Sequence, residues 1–107
     1  MAAVGEASAA SVEVDASWES DALILRVSGE LDLASVDRAR SAIEAAIKEA
    51  PDRVVFDLSG LEFMDSSGIS LFLTVAACVP LVETRNPTPI VRQLVEMTGL
   101  GETLRLT

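Results

Sequence analysis

The residues of this chain that could do chemistry are few, and the most suggestive of them form one tetrapeptide, Asp65-Ser66-Ser67-Gly68. Two hydroxyls follow a carboxylate and precede the apolar run Ile69-Ser70-Leu71-Phe72-Leu73-Thr74-Val75-Ala76-Ala77, which reads as a largely buried helix. At the start of such a helix a serine meets unpaired backbone N–H groups and the positive end of the helix dipole. It is therefore either an ordinary N-cap or a place where an added phosphoryl group is tolerated. Nucleophilic catalysis by either serine needs a base, and the chain has no histidine, which removes the commonest general base and every Ser-His or Cys-His pair. Lys48, on a charged helix face, is a poor substitute. Glu30, Asp32, Asp57 and Asp65 could converge on a cation such as Mg²⁺, but each also suits a turn or cap, and no metal is expected. No phosphate-loop, dinucleotide, hydrolase-elbow or Cys-x-x-Cys pattern occurs, so neither enzymatic activity nor a cofactor is expected.

Bulk properties narrow the field further. A chain of 107 residues, half of them apolar, suits one domain with one core. A net charge of −9 argues against nucleic acid, whose phosphates are held by clustered Lys and Arg, and against anionic membrane surfaces. The run from Ile69 to Val82 is apolar, but it contains Pro80 and falls short of the roughly 20 residues that a membrane-spanning helix needs. The single cysteine, Cys78, lies within the apolar helix and reads as an inert buried thiol, which suits a reducing cytoplasm. Residues 1–10, rich in Ala, Ser and Gly, have no cationic start before an apolar stretch; they read as a disordered tail rather than a secretory signal. The domain is expected to occupy residues 11–107.

The elements that must hold the serines can be read from periodicity. Residues 11–16 alternate like an edge strand, and Ser20-Asp21 is a turn. Leu23, Leu25 and Val27 alternate with Ile24, Arg26 and Ser28 in a second strand that ends at Gly29-Glu30-Leu31-Asp32. From about Leu33 to Ala50 the period changes to that of a helix. Val36, Ala39, Ile43, Ala46, Ile47 and Ala50 share one stripe, and Asp32 or Ser35 can cap the start. Val54, Val55 and Phe56 form the apolar run of a strand buried on both faces. After the serine-led helix come a short strand over residues 81–85 and a turn at Asn86-Pro87. A helix follows, opened by Thr88 and Pro89 and closed by Gly99; it should bury Ile90, Val91, Leu94, Val95 and Leu100. A final short strand is expected at 103–106.

The predicted fold is α/β, in the order β-β-α-β-α-β-α: a mixed, mostly parallel sheet of four to five strands flanked by helices. In such a sheet the binding edge lies at the carboxyl ends of the strands. Gly29–Asp32 and Asp65–Gly68 both fall at strand ends, although spacing alone does not prove contact. On the serine-led helix Leu71, Phe72, Val75 and Val79 should point inward, while Ser67, Ser70, Thr74 and Cys78 line a second stripe without charge. That stripe is either a surface meant to be covered by another protein or part of a deeply buried helix. A phosphate on its leading serine would be accepted by the helix end and would repel a partner, because Glu62 and Asp65 already make the surroundings acidic.

Four stretches resemble STAS domains, and in particular the bacterial anti-sigma factor antagonists: Gly29-Glu30-Leu31-Asp32, the segment from Asp57 to Gly68, Asn86-Pro87, and Val95-Glu96-Met97-Thr98-Gly99-Leu100. The resemblance implies a cytoplasmic partner-switching protein. It would bind an anti-sigma factor that is also a serine/threonine kinase, be released on phosphorylation, and be reset by a phosphatase. It implies Ser67, just before the glycine, as the phosphorylated residue, with Asp65 and Asp32 as the acids beside it. Ser66 is then the cap and orienting neighbour. Asp32, Asp65, Ser66, Gly68, Ser70 and Thr74 make up the expected partner-binding surface. One departure stands out: Val79-Pro80-Leu81 passes almost directly from helix to strand, where family members carry a charged turn and a glycine loop. Two rival readings are a passive STAS accessory in a lipid-transport or stress-signalling assembly and, from the enzyme class, a small hydrolase or phosphotransferase using Ser67.

Overall fold

A computed structural model describes residues 12–106; the expected tail lies outside them. The elements are β1 (Val12–Glu19), β2 (Ala22–Leu31), α1 (Val36–Ile47), β3 (Arg53–Asp57), β4 (Leu61–Met64), α2 (Ser66–Cys78), β5 (Leu81–Arg85) and α3 (Pro89–Met97). The sheet runs β1-β2-β3-β5, with β4 paired to β2. Only the β1–β2 hairpin is antiparallel; its turn at Ser20-Asp21 places Ser20 at φ 58°.

Strand β2 organises the rest. One edge pairs with β1 from Ala22 to Gly29. The other is divided in tandem, with Ala22–Arg26 alongside β3 and Gly29–Leu31 alongside β4. The register shifts between Gly29 and Glu30, and Gly29 takes φ 90°, a conformation that favours glycine. β4 is the strand that periodicity does not predict. It has four residues, Leu61, Glu62, Phe63 and Met64, and no alternation: its ends are buried and its middle is exposed.

The core lies between one sheet face and the helices. Leu23, Leu25, Val27, Val54 and Phe56 meet Val36, Ala39 and Ile43 of α1, Leu71, Phe72 and Val75 of α2, and Val91 and Val95 of α3. Phe56 and Phe72 stack with ring centroids 4.4 Å apart and no exposed surface. The expected inward face of α2, including Val79, is therefore the observed one. On the opposite sheet face Ala22, Ile24 and Val55 form a separate small cluster that no described helix residue joins. Around it the sheet carries two ion pairs, Arg26–Asp57 at 3.5 Å and Arg53–Glu83 at 2.9 Å. The hydrogen bond from Arg53 holds the Glu83 carboxyl below the usual carboxylate range, and the same bond raises the Arg53 guanidinium.

Several expected boundaries move, each for a local reason. Helix α1 begins at Val36 rather than near Leu33, because the Asp32 carboxylate accepts the N–H groups of Ala34 and Ser35 and holds residues 32–35 in a turn. Ala50 lies beyond the helix and is exposed. Ile90 is 56% exposed instead of buried, while Val91 and Val95 carry the inward face of α3. In place of a final strand, residues 101–105 form turns, and one isolated bridge joins Leu106 to Thr84. Thr88 stands at the N-cap of α3 as expected, but its hydroxyl donates to the Leu61 carbonyl at 3.0 Å, so it ties the helix start to β4. No described helix is long and apolar enough to cross a membrane.

Candidate functional site

The tandem pairing of β2 brings the two acidic loops together. Leu31 pairs with Met64, and one residue later the Asp65 N–H donates to the Leu31 carbonyl at 3.2 Å. The loop that starts at Asp32 and the turn that starts α2 are thus adjacent at the carboxyl end of the sheet, the edge that an α/β fold uses for binding.

At the head of α2 the cap is Asp65, not Ser66. The Asp65 carboxylate accepts the Ser67 N–H at 2.8 Å, from a backbone (φ −111°, ψ −168°) suited to an N-cap. Ser66 is the first helical residue and is exposed. The correction has a simple cause: Asp and Ser are comparable N-cap residues, and a carboxylate gains more from the helix dipole. Ser67 is half-buried, and its hydroxyl makes no hydrogen bond to another described residue. Asp65→Ala should cost about 1 kcal/mol of stability, measured as a lower urea midpoint, because Ser66 already lies inside the helix and cannot take over the cap.

Gly68 explains how closely this end is packed. A Cβ there would lie 2.5 Å from Met64 Cγ, 2.8 Å from Met64 Sδ and 2.9 Å from Leu31 Cδ2. The first turn of α2 therefore rests directly on the ends of β2 and β4, and any side chain at this position must displace both neighbours.

Along α2 the expected stripe is exposed. Ser70, Thr74, Ala77 and Cys78 face outward, and the Thr74 hydroxyl donates to the Ser70 carbonyl at 3.0 Å. The reading of α2 as buried on all sides is excluded, and with it the buried thiol: Cys78 is exposed. At the same end of the helix Val75 and Val79 stay buried, so Ala77 and Cys78 are exposed by the face they occupy. No residue of α2 is charged.

The carboxylates do not form a metal site. Asp32 caps its own turn, and the buried Ser35 hydroxyl donates to the Glu30 carbonyl at 2.9 Å while lying 3.1 Å from the Asp32 carboxylate. Asp57 pairs with Arg26 and accepts the Ser59 N–H. Asp65 serves α2. Among the described residues no group of three acidic, His or Cys side chains is arranged to hold a metal ion. Two neighbours escaped the sequence reading. Leu33, beside Asp32, is 78% exposed, and Met64 packs under Gly68. A glycine inside an apolar helix was the available signal for that close packing.

The family model described as "Mlab, STAS domain" matches residues 14–106. The chain belongs to the STAS-domain family. Within that family it is 36% identical over 86 residues to the anti-sigma F factor antagonist of Lysinibacillus sphaericus, a match spanning 76% of this chain and 74% of that protein. Among solved structures, an anti-sigma factor antagonist from Mycobacterium paratuberculosis superposes with a TM-score of 0.80 at 27% identity, covering 90% of this STAS domain and 85% of that chain. The phosphorylated form of SpoIIAA, a Bacillus cell fate determinant, gives a TM-score of 0.59 at 26% identity, with 91% of each chain covered.

Proposed function

We propose that this STAS domain is an anti-sigma factor antagonist whose binding is switched by phosphorylation of Ser67. The antagonist role has its support in the relatives named as anti-sigma factor antagonists, which match 76% of the chain in sequence and 90% of it in structure. The switch rests on one local observation: the Ser67 hydroxyl is unengaged among the described residues, in the first turn of a helix whose cap is already a carboxylate. The partner is then an anti-sigma factor that is itself a serine kinase, with a phosphatase that removes the phosphate, and the setting is cytoplasmic.

In this scheme the domain is acted upon and catalyses nothing. The unphosphorylated surface, consisting of Asp32, the Asp65–Gly68 turn and the uncharged residues Ser70 and Thr74, covers the anti-sigma factor and frees the sigma factor. A phosphoryl group brings about −1.5 to −2 charges to a place where Asp65 already contributes one. The helix end offsets part of that charge on the domain's side, and the partner bears the repulsion.

Ser66 is the more exposed hydroxyl, and the choice of Ser67 over it rests on the resemblance to anti-sigma factor antagonists, which implies the serine directly before the glycine. Tandem mass spectrometry of the chain after incubation with its anti-sigma factor and ATP decides between them. The expected result is one phosphate, on Ser67; a phosphate on Ser66, or none, refutes the assignment.

A further inference from the structure

Five large apolar side chains stand out as exposed among the described residues, and three of them meet in one place. Phe63 (42% exposed), Ile90 (56%) and Met97 (75%) line a shallow groove of about 220 Å³ between β4 and α3, together with Met64, Gln93 and Leu94. Trp18 and Leu33, the other two, lie outside it. Exposed apolar residues scattered singly are ordinary, whereas a grouped set on a strand and a helix marks a contact surface.

The charges around the groove select what can fill it. Its strand wall, Phe63 and Met64, lies between Glu62 and Asp65 in the chain; Glu62 is exposed and forms no ion pair with a described residue. Its helix wall ends at Met97, next in the chain to Glu96, whose carboxylate lies 3.7 Å from Arg92 and is partly offset by it. With −9 on the whole chain, an occupant with cationic flanks is favoured over one with acidic flanks or an anionic lipid surface. An added strand is disfavoured, because the Thr88 side chain already occupies the Leu61 carbonyl at the free edge of β4. We propose that the groove docks an amphipathic helix of a protein partner, its apolar face seated on Phe63, Ile90, Leu94 and Met97 and its Lys or Arg flanks near Glu62 and Glu96. The site goes beyond the Ser67 switch and does not depend on it: Met64 lines the groove and separates it from Gly68.

The test is fluorescence anisotropy with the full chain and two labelled synthetic helical peptides that share one leucine face, one flanked by lysine and the other by glutamate. The lysine peptide should bind about tenfold tighter than the glutamate peptide. The double substitution Ile90→Ser with Met97→Ser, both exposed positions, should weaken it about tenfold at an unchanged urea midpoint, while Leu33→Ser should not. Ser67→Glu should not weaken it either, so failure of the switch and failure of the groove are separable. Equal binding of the two peptides overturns the proposal. So does an undiminished affinity of the double variant, which would mean that charge alone attracts the peptide. Sedimentation showing a dimer of the parent chain that the double variant abolishes would also overturn it, assigning the groove to a second copy.

Discussion

Ser67→Glu should weaken binding of the anti-sigma factor about a hundredfold, a loss of about 2.8 kcal/mol, while leaving the domain as stable as the parent. Two different charge environments produce this split. Within the domain the new carboxylate stands in the first turn of α2, where unpaired N–H groups and the dipole favour it. Its main opponent there is the Asp65 cap, 2.8 Å from the Ser67 nitrogen. Across an interface nothing comparable offsets it, and juxtaposed like charges can cost several kcal/mol. Ser67→Ala should bind like the unphosphorylated parent and remain bound when ATP is added. Titration calorimetry of the three proteins against one anti-sigma factor preparation, with a urea melt of each, checks both halves. A Ser67→Glu domain that binds as tightly as the parent would end the charge-switch account, and one that unfolds would show that the serine is structural.

Phe72→Ala should cost about 3–5 kcal/mol, the largest stability loss expected from a single change in α2. The ring has no exposed surface and lies 4.4 Å, centroid to centroid, from Phe56 in the middle of the sheet. It is the contact that fastens the serine-bearing helix to β3. Since domains of this size are stable by roughly 5–15 kcal/mol, the loss takes a large share of the total and should shift the urea midpoint strongly. Truncating Phe63, which is 42% exposed, should barely move it. Equal effects would mean that the ring pair is not the anchor.

The particular residues show where sequence could and could not reveal this structure. Strand β2, the buried run of β3 and the heart of α1 are legible because their apolar periods of two and 3.6 are regular. Strand β4 is not, because four residues with buried ends and an exposed middle carry no period, and its existence depends on a β2 long enough to serve two neighbours. Helix α2 is recognisable as a helix, yet its faces are hard to assign. Nearly every residue is apolar or small, so hydropathy does not distinguish the buried Leu71 and Phe72 from the exposed Ala77 and Cys78. The Asp-Ser-Ser-Gly spacing singles out the candidate site, but it does not say which residue is the cap, because aspartate and serine are both good N-cap residues and only the backbone of Asp65 decides between them. Ile90 reads as buried for the ordinary reason that isoleucine usually is; only the position of β4 relative to α3 leaves it in an open groove.

The anchoring of the Asp65–Ser67 turn bears on how the serine can be approached. The Asp65 N–H is held by Leu31, its carboxylate holds Ser67, and Gly68 is seated against Met64 and Leu31. The hydroxyl is therefore presented on a fixed helical turn rather than on a strand of chain that an enzyme could draw out into an extended cleft. Under the proposed switch, a modifying enzyme would have to read Ser67 by the shape of the domain, docking on it intact and recognising no linear motif. Its selectivity would then come from the same complementary surface that makes it a binding partner, so the protein that is silenced and the enzyme that ends the silencing can be one molecule.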